Sequence, residues 1–370
     1  MKSILVYGLS NNWGGVEAIV TSVILKLHKS CCFDIIVSKA ECSYENKFKL
    51  PNIRFLHTVS WGESPKQFKE SLKEILSNKV YDYVWINGCI MSNRTIISVT
   101  KKYSKAKIIT HSHGSGFEEK NKLKRSILLA LHYMNRRYYL RNVDFPCMCS
   151  EKSGRWFYGE KYLYNHYVHL FKNGVNLSKF EYNHDIRNEY RKQFCLSDEL
   201  VLFHAGRLTA VKNQKFILDI LNQLLIKKIK CKLFLAGDGE LMEELNNYAI
   251  KKNISSDVIF LGARDDIPQL YQMADAFLLP SFHEGFPVTL VEAQAAGLPC
   301  FVSTSVSDET NITGNIQYLS LENNIDAWSK AVSDYKYDIN SRHEMSSLLY
   351  KERYDINQVA EDFRSFIEID

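Results

Sequence analysis

Short apolar segments alternate with longer amphipathic segments along this chain, and the series restarts near its middle. The first half contains five strand candidates, at residues 3–8, 33–38, 53–58, 81–87 and 106–112. The second half contains five more, at residues 199–206, 230–237, 257–262, 275–280 and 299–304. Apolar segments of this length between helical patterns are typical of parallel strands covered by helices. The pattern predicts two doubly wound, Rossmann-like α/β domains separated by a cleft, with ligands outside the carboxyl ends of the strands.

The chain has 370 residues, enough for two domains of ordinary size. We place their boundary in the polar segment 176–194, which has charged and aromatic residues but no strand pattern. The prediction is an N-terminal domain over residues 1–180, a second domain over 181–352 and a terminal helix over 353–370, which we expect to pack back on the N-terminal domain. Apolar residues recur at helical spacing in that last segment, at Ile356, Val359, Phe363 and Phe366.

Composition excludes several classes of protein. Apolar residues make up 45% of the chain and aromatic residues 12%, which disfavours a disordered or fibrous chain. The formal net charge of +5 permits anionic ligands but does not indicate nucleic acid. The nine cysteines contain no C-x-x-C motif and no secretory segment precedes them, so we expect reduced thiols and a cytoplasmic location. No segment approaches the roughly 20 apolar residues that span a bilayer.

Several catalytic motifs are absent from the sequence. It has no Gly-Lys dipeptide for a P-loop, no G-x-S-x-G elbow and no G-x-G-x-x-G after the first strand candidate. His111 and His113 have no acidic or cysteine ligands beside them, and no Asp-x-Asp pair is present to hold a metal on a diphosphate. We therefore expect no metal and no cofactor.

Glycine and basic residues follow several strand candidates. Gly14 and Gly15 precede a helical pattern. Their amides could face an anion at the N-terminus of that helix, or the two glycines could be present because the chain makes a tight turn there. Arg207 and Lys212 follow the first strand candidate of the second half; two cations there suit a diphosphate, and solvated surface charges are the alternative. Gly239 lies in the loop after the next strand candidate, which suits either a flat ring or a plain turn.

Two carboxylates lie in the segment PSFHEGFPVTLVEAQAAGLP. Glu284 belongs to the loop after a strand candidate, and Glu292 lies in the helical pattern that opens near Pro287. Proline suits a first helical turn and leaves the amides of its neighbours Phe286 and Val288 free for a ligand. Hydroxyl-rich ligands need such acceptors. The alternative to a ligand site is that one of these carboxylates is a charge at the N-terminus of the helix and the other is a solvated charge on its surface.

These motifs resemble the retaining glycosyltransferases of family 4, which have the GT-B fold of two facing Rossmann-like domains. The match looks close to the branch that makes bacterial capsular polysaccharide and exopolysaccharide. It runs from residue 14 to residue 299 in family order. The segments that carry it are GGVE (14–17), THSHGSG (110–116), WFYG (156–159), NGV (173–175), HAGRLTAVKN (204–213), LAGDGEL (235–241), IFLGARDDIPQLY (259–271) and the two-carboxylate segment (280–299).

The resemblance makes residues 1–180 the acceptor-side domain and residues 181–352 the domain that binds the nucleotide-sugar donor. It also implies a role for each matching residue. Arg207 and Lys212 would hold the donor diphosphate, and Glu292 would bind the ribose hydroxyls. Glu284 would contact the transferred sugar, and His113 matches the family histidine that faces it. The other matches would surround the donor: Gly14, Gly15, Gly206, Phe286, Pro287 and Val288 at the sugar and phosphates, and Gly239, Gly262 and Arg264 at the base.

The implied activity is retaining transfer of a sugar from a nucleotide diphosphate to a lipid-linked or polysaccharide acceptor, in capsule, exopolysaccharide or O-antigen synthesis. The resemblance favours UDP as the nucleotide. Without a metal, Arg207, Lys212 and helix amides would stabilise the leaving diphosphate, and front-face attack would give retention without a protein nucleophile. The alternatives are a nucleotide-sugar epimerase or hydrolase of the same fold, and a catalytically silent scaffold partner.

The segment 118–142 combines apolar and basic residues at helical spacing. One face carries Leu123, Ile127, Leu131, Met134 and Tyr138. Around it lie Lys120, Lys122, Lys124, Arg125, Arg136, Arg137 and Arg141, against Glu118 and Glu119 alone. Such a helix can lie on an anionic surface, which would place the protein on the inner face of the cell membrane beside a lipid-linked acceptor. The alternative is a helix whose apolar face packs on its own sheet.

Overall fold

The computed structural model describes residues 1–38, 41–117, 119, 121–322 and 325–368. The chain divides into two compact units. Unit 1 contains Met1–Asn173 and the C-terminal segment that begins at Ile356, and unit 2 contains Gly174–Asp355. The polar segment 176–194 lies within unit 2, where it forms two helices.

Unit 1 is built on a seven-stranded parallel sheet. Its strands are β1 (Lys2–Tyr7), β2 (Cys31–Val37), β3 (Ile53–His57), β4 (Tyr83–Gly88), β5 (Lys107–Ser112), β6 (Phe145–Met148) and β7 (His169–Leu170). They lie in the order β3-β2-β1-β4-β5-β6-β7. The order reverses between β1 and β4, and the loops after two such strands diverge to leave a crevice.

The helices of unit 1 cover both faces of this sheet. The connecting helices are α1 (Gly15–Leu27), α2 (Pro65–Asn78), α3 (Thr95–Tyr103), α4 (Lys122–Asn142), α5 (Glu151–Tyr158) and α6 (Glu160–Asn165), with a 3-10 turn at Glu45–Phe48. Helix α2 shows why they form: Ser64 caps its first turn, Pro65 opens it, and its apolar residues at helical spacing are buried. Its buried residues are Phe68, Leu72 and Leu76.

Unit 2 repeats the architecture with a six-stranded parallel sheet in the order β10-β9-β8-β11-β12-β13. Its strands are β8 (Leu200–Ala205), β9 (Cys231–Ala236), β10 (Val258–Gly262), β11 (Ala276–Leu279), β12 (Cys300–Ser303) and β13 (Ile316–Leu319). Its helices are α7 (Leu177–Phe180), α8 (His184–Gln193), α9 (Gln214–Ile226), α10 (Met242–Lys251), α11 (Ile267–Met273), α12 (Val288–Ala295), α13 (Ile325–Asp334) and α14 (Arg342–Lys351), with 3-10 turns at Ala210–Lys212, Ser255–Asp257 and Asp308–Thr310.

The final helix, α15 (Ile356–Glu368), belongs to unit 1. Its apolar face is buried in the same core as the inward face of α1. The ring of Phe363 lies 4.4 Å from that of Trp85, measured between centroids. The hydroxyl of Tyr83 donates to the carbonyl of Ile367 at 3.0 Å. The terminal helix predicted from apolar spacing is therefore confirmed.

All ten predicted strands are present, and the fold class of two doubly wound parallel sheets is confirmed. The sequence pattern does not predict β6, β7 or β13. Strand β6 contains Pro146, which lacks an N–H group for the ladder, and β7 has only two residues. Strand β13 is a partly exposed edge strand. These three strands exist because neighbouring strands pair with them, and a local pattern does not encode such pairing.

The apolar face of α4 points away from the core of unit 1. Leu123, Ile127 and Met134 have 73%, 52% and 74% of their surface exposed. The side chains that α4 buries are His132, Asn135 and Tyr139. Asn135 donates from Nδ2 to the carbonyl of Met91 at 2.9 Å. The alternative prediction, that the apolar face of this helix packs on its own sheet, is therefore wrong. Polar contacts hold the opposite face of the helix against unit 1.

Two members of that predicted face, Leu131 and Tyr138, are half-buried. Glu118 and Lys120, which belong to the same predicted segment, lie outside the described residues. Arg136 turns inward and donates to the carbonyls of Trp156 and Phe157. Across the described ranges, none of the helices combines the length and the apolar character needed to cross a membrane.

Candidate functional site

The loop after β8 and the loop after β11 are hydrogen-bonded to each other in unit 2. Asn213 donates from Nδ2 to the carbonyl of Pro280 at 3.1 Å. The amide of Phe282 donates to the carbonyl of Val211 at 2.8 Å. Because β8 and β11 are parallel neighbours, both loops leave the same edge of the sheet. Two of the predicted donor-binding motifs therefore meet there.

Lys212 and Glu284 form an ion pair at this edge. Nζ of Lys212 lies 2.5 Å from Oε1 of Glu284, and Oγ of Ser281 donates to the same oxygen at 2.7 Å. Only 20% of the lysine side chain and 12% of the glutamate side chain are exposed. Because solvent screens them little, these charges act on each other and on a nearby ligand more strongly than surface charges do.

Arg207, the other predicted cation, is placed differently. Its side chain is exposed and pairs with no other residue in the described part of the chain. Its carbonyl accepts from Nε2 of Gln214 at 2.9 Å, which fixes the loop backbone. A Cβ atom on Gly206 would lie 3.6 Å from Cε of Lys212, so the lysine side chain lies along this glycine. Arg207 is thus available to an anion beside a shielded Lys212.

Two residues that the sequence reasoning did not single out support this loop. Burial in β8 lowers the pKa of His204 to about 4, so its ring is neutral. Its Nδ1 lies 2.8 Å from the carbonyl of Leu278 and must donate, because a carbonyl only accepts. Its Nε2 then accepts from Gln214 at 3.1 Å. His204 lies in the HAGRLTAVKN motif, so a signal was present, although nothing in the sequence distinguished its role.

The predicted glycine loops pack closely on one another. A Cβ atom on Gly237, whose φ is +137°, would lie 2.0 Å from the carbonyl oxygen of Gly206. A Cβ atom on Gly239 would lie 2.3 Å from the carbonyl oxygen of Leu208. Packing of the loop after β9 against the loop after β8 therefore requires both glycines. A role for Gly239 at a nucleotide base stays a prediction.

Gly262 and Arg264 follow β10. The carbonyl of Gly262 accepts from the amide of Gly237 at 2.8 Å, which ties this loop to its neighbour. The guanidinium of Arg264 binds Asp266 through contacts of 2.7 and 2.5 Å. Tyr190 donates to the same carboxylate at 3.0 Å. Asp266 therefore neutralises the charge of Arg264, and its place at a base also stays a prediction.

Helix α12 begins at Val288, directly after Pro287. Amides in the first turn of a helix have no partner within it, so this end is suited to an anion or a hydroxyl oxygen. The ring of Phe286 is buried and stacks on that of Tyr354, with centroids 5.8 Å apart. Its side chain therefore serves packing, which leaves the backbone as the part suited to the predicted ligand contact.

Glu292 lies further along α12 and is half-buried. The hydroxyl of Tyr271 lies 3.1 Å from Oε2 of Glu292 and 2.9 Å from the carbonyl of Thr289. Burial raises the pKa of Glu292 to about 7, and the hydrogen bond from Tyr271 opposes that rise. Arg342 donates to the carbonyl of Tyr271 at 3.0 Å and so anchors the tyrosine. Tyr271 is the last residue of the IFLGARDDIPQLY motif, so a signal was present, although sequence reasoning assigns a role to Glu292 and none to Tyr271.

In unit 1, His113 is buried just after β5. Burial lowers the pKa of its imidazole to about 3, so the ring is neutral. Its Nε2 lies 2.9 Å from Oδ1 of Asn87 and donates to that amide oxygen. Nδ1 is then an acceptor, and it has no partner among the described residues. A neutral histidine of this kind can accept a hydrogen bond from a hydroxyl group.

Gly14 and Gly15 form the start of α1, with Gly14 in the capping position. A Cβ atom on Gly14 would lie 2.8 Å from Oε2 of Glu17, so the carboxylate occupies the space beside this glycine. Oε1 of Glu17 accepts from the amide of Ser10 at 2.7 Å. The N-terminal end of α1 therefore already holds a negative charge. That charge would repel a phosphate, so this end of the helix is better suited to contact a hydroxyl group.

The structure divides the predicted residues between the units. Unit 1 holds Gly14, Gly15 and His113, and unit 2 holds Gly206, Arg207, Lys212, Gly239, Gly262, Arg264, Glu284, Phe286, Pro287, Val288 and Glu292. Unit 2 thus combines two cations, suited to a diphosphate, with two carboxylates, suited to hydroxyls. Within the ranges that the structure describes, no three histidine, cysteine or acidic residues cluster as metal ligands would.

Comparison with known proteins gives three kinds of match. Residues 186–351 match the family model described as glycosyl transferases, group 1. The chain is 31% identical over 333 residues to a Bacillus subtilis protein named glycosyltransferase EpsF. That alignment covers 87% of this chain and 84% of the Bacillus protein. It is also 35% identical over 155 residues to the UDP-Gal:alpha-D-GlcNAc-diphosphoundecaprenol alpha-1,3-galactosyltransferase of Escherichia coli. That alignment covers 40% of this chain and 38% of the enzyme.

Among solved structures, Alr3699/HepE of Anabaena in complex with UDP-glucose aligns over 100% of both chains with a TM-score of 0.77 and 16% identity. The sucrose-phosphate synthase of Thermosynechococcus elongatus aligns over 100% of this chain and 98% of its own with a TM-score of 0.80 and 15% identity. At these identities the likeness concerns the fold, and it matches the predicted class.

Proposed function

This chain belongs to the group 1 glycosyl transferases, and we propose that it moves a sugar from a UDP-sugar to a lipid-linked acceptor in the synthesis of a cell-surface polysaccharide. The Lys212–Glu284 pair is the observation that carries the proposal. It places a shielded cation and a shielded carboxylate together, 2.5 Å apart, at the carboxyl edge of the unit 2 sheet. A nucleotide sugar needs both, because it has an anionic diphosphate and a hydroxyl-bearing ring.

The chemistry of sugar transfer suits these residues. The breaking glycosidic bond leaves positive charge on the sugar and adds negative charge to the departing diphosphate. Fixed cations directed at that growing charge lower the barrier, most of all where water is excluded. We assign this role to Lys212 and Arg207, with the first-turn amides of α12 beside them, and we propose that transfer needs no metal.

The choice of donor and acceptor rests on relatives. The matching Escherichia coli enzyme is named for a UDP-sugar donor and a diphosphoundecaprenol acceptor, and the Anabaena structure contains UDP-glucose. Glu292 is suited to accept hydrogen bonds from ribose hydroxyls. We propose retention of configuration by front-face attack, with Glu284 contacting the sugar rather than forming a covalent bond to it.

Thermal unfolding with UDP, GDP or ADP, each measured with and without EDTA, tests the donor site. A nucleotide at about 100 times its Kd adds roughly 2.7 kcal/mol, and UDP should give the largest rise in Tm. Glu292→Ala should lose most of that rise, whereas Glu189→Ala, which removes an exposed carboxylate on α8, should keep it. If no nucleotide raises the Tm, or if EDTA abolishes the effect of UDP, the proposed metal-independent site is wrong.

The stereochemical proposal needs no acceptor to be tested. Slow hydrolysis of UDP-glucose can be followed by proton NMR, in which α-glucose and β-glucose give separate anomeric signals. Retention predicts α-glucose as the first product. Early β-glucose would contradict retention, and a sugar trapped covalently on Glu284 would contradict front-face attack.

Helix α4 supports a membrane-facing role for unit 1. Its exposed apolar residues lie among basic residues that are also exposed, namely Lys122, Lys124, Arg125, Arg137 and Arg141. Apolar side chains enter the lipid interface, and each basic residue near an anionic surface adds about 1 kcal/mol of attraction. We propose that α4 lies on the anionic inner face of the membrane, where a lipid-linked acceptor is found.

Flotation with vesicles tests this surface, with phosphatidylglycerol-containing vesicles compared against phosphatidylcholine alone. Binding should require the anionic lipid and should weaken with salt. Ile127→Glu should reduce it strongly. Ile226→Glu makes the same change at an exposed isoleucine of α9, which has 64% of its surface accessible, and should have little effect. Equal binding by both variants would exclude α4 as the contact.

A further inference from the structure

One peptide group in the loop after β11 is hydrogen-bonded on both sides in unit 2. It joins Ser281 to Phe282. Its N–H group, which belongs to Phe282, donates to the carbonyl of Val211 at 2.8 Å. Its carbonyl oxygen, which belongs to Ser281, lies 2.5 Å from Oγ of Ser303 and 2.6 Å from Oγ of Ser305. Val211 follows β8 and the two serines end or follow β12, so this peptide group ties the loops of three adjacent strands together.

The side chain of Ser281 connects this peptide group to Glu284. Ser281 is fully buried, and its hydroxyl donates to Oε1 of Glu284 at 2.7 Å. Lys212 binds the same carboxylate oxygen, and it directly follows Val211 in the chain. The peptide group therefore fixes the backbone beside the cation and also carries the hydroxyl that binds the carboxylate. Both members of the Lys212–Glu284 pair depend on it.

Ser303 and Ser305 share the task of donating to the carbonyl of Ser281. Their Oγ atoms lie 2.6 Å apart, so the three oxygen atoms form a triangle of short contacts. A hydroxyl has one proton and a carbonyl oxygen has none, so at most two of the three contacts are hydrogen bonds at one time. Either hydroxyl can donate to the carbonyl, and the other can donate to that hydroxyl or to the carbonyl itself. Loss of one serine therefore leaves the other as a donor.

The hydrogen bond from Ser281 matters most once a donor nucleotide is bound. In the proposed site, a diphosphate that binds Lys212 removes one of the two donors to Oε1 of Glu284. Ser281 remains as a donor and keeps the carboxylate in one orientation. A carboxylate that is already oriented loses less side-chain freedom when it binds a sugar hydroxyl, which favours the sugar contact. The contact between the diphosphate and Lys212 does not need this hydrogen bond.

We propose that Ser281 is a positioning residue, held in place by Ser303 and Ser305, that orients Glu284 toward the sugar of the donor. The inference rests on the proposed function, in which Glu284 contacts that sugar. It predicts an effect on how much more tightly a UDP-sugar binds than UDP does, because the hydroxyl network acts on the sugar contact and not on the diphosphate. A role in folding alone would leave that preference unchanged.

Calorimetric titration of the full chain with UDP, UDP-glucose, UDP-galactose and UDP-N-acetylglucosamine measures this preference. At least one of the three sugar nucleotides should bind wild type more tightly than UDP does. Ser303→Ala and Ser305→Ala should each keep that preference within about twofold, because the remaining hydroxyl still donates. The double variant should lose roughly fivefold or more of it, the value of about one hydrogen bond, while its Kd for UDP stays within about twofold.

Ser329→Ala is the matched control. Ser329 is a buried serine of α13 whose hydroxyl donates to the carbonyl of Asp326 at 3.0 Å, so the change removes the same kind of contact within a single helix. It should alter neither the Kd for UDP nor the preference. If the double variant does not fold, Ser281→Ala removes the donor to Glu284 itself and should lower the preference at least as far.

The outcomes separate this inference from the proposed function. A double variant that keeps the wild-type preference overturns the inference and leaves the donor site intact. An equal loss of affinity for UDP and for the sugar nucleotide also overturns it, because the serines would then only support the fold. A large loss from either single variant contradicts the shared role of the two hydroxyls. A wild type that binds UDP but prefers none of the three sugar nucleotides rejects the sugar contact of Glu284, and this inference with it. Failure of UDP itself to bind rejects the proposed function.

Discussion

Replacing Glu292 by glutamine tests the environment of this carboxyl group. Burial raises its pKa in the folded protein to about 7, from an ordinary value of 4.5. Such a group stabilises the fold fully below its unfolded pKa, and the contribution is lost as the pH rises through the folded pKa. At about 1.36 kcal/mol per pH unit, ionisation of Glu292 costs the folded protein about 3 kcal/mol at pH 8 and less than about 1 kcal/mol at pH 5.

Glu292→Gln keeps the size of the side chain and an oxygen for Tyr271, but it cannot ionise. Without nucleotide, the variant should be more stable than wild type at pH 8 by roughly 2–3 kcal/mol, and nearly equal at pH 5. For a unit of this size each kcal/mol shifts Tm by about 2–4 °C, so the variant should unfold roughly 4–12 °C higher at pH 8. Scanning calorimetry from pH 5 to pH 8 measures the difference.

Glu189→Gln is the matched control, because it makes the same change at an exposed position of α8. Its Tm should stay within about 2 °C of wild type at every pH. A Tm gap for Glu292→Gln that is equal at pH 5 and pH 8 would refute the reasoning, since a gap caused by packing alone does not follow proton uptake. The variant should also bind UDP more weakly, because it offers ribose one acceptor oxygen instead of two.

Three further predictions concern unit 2. Lys212→Met should weaken UDP binding roughly tenfold or more in calorimetric titration, since a charge-assisted contact contributes about 1.5–3 kcal/mol; an unchanged Kd would contradict its role at the diphosphate. Tyr271→Phe removes the hydrogen bond that lowers the pKa of Glu292, so the pH midpoint of UDP affinity should move above 7. Gly237→Ala should cost about 2–4 kcal/mol in denaturant unfolding because its Cβ would meet backbone at 2.0 Å, whereas Gly62→Ala, with nothing within 4 Å, should be neutral.

The central strands could be predicted from the sequence because both of their faces are buried. Strands such as β4 and β8 are therefore continuous apolar segments, and a one-dimensional pattern is enough to find them. The edge strand β13 is partly exposed, and β6 contains Pro146. Their existence depends on a neighbouring strand, and that information is distributed along the chain.

Helix α4 shows a different limit. Apolar spacing identifies a face, but it does not determine whether that face is buried. Here the carbonyl of Met91 and the peptide groups near Trp156 bind Asn135 and Arg136 of the helix. These partners lie far away in sequence, so the orientation of α4 follows from tertiary hydrogen bonds that hydropathy does not record. The exposed apolar face that results is the basis of the membrane proposal.

The individual residues of the candidate site could be predicted from the sequence, but the contacts between them could not. Motifs place Lys212 and Glu284 after different strands, and only the adjacency of β8 and β11 brings them together. The same holds for Tyr271 and Glu292, which come from α11 and α12. Loop packing accounts for Gly239, and the ion pair with Asp266 accounts for Arg264.

The pairing of Lys212 with Glu284 has a consequence for donor binding. Both side chains are shielded from water, so leaving either one unpaired would be costly. In the proposed donor site, a diphosphate would compete with Glu284 for the lysine, and a sugar hydroxyl would replace the lysine as a donor to Glu284. A nucleotide sugar supplies both groups in one molecule and exchanges the two partners together. A free nucleotide supplies only the first, so the lysine contact of Glu284 is lost without replacement. Under the proposed function, we therefore expect the pair to favour the complete nucleotide sugar over the free nucleotide that sugar transfer leaves behind.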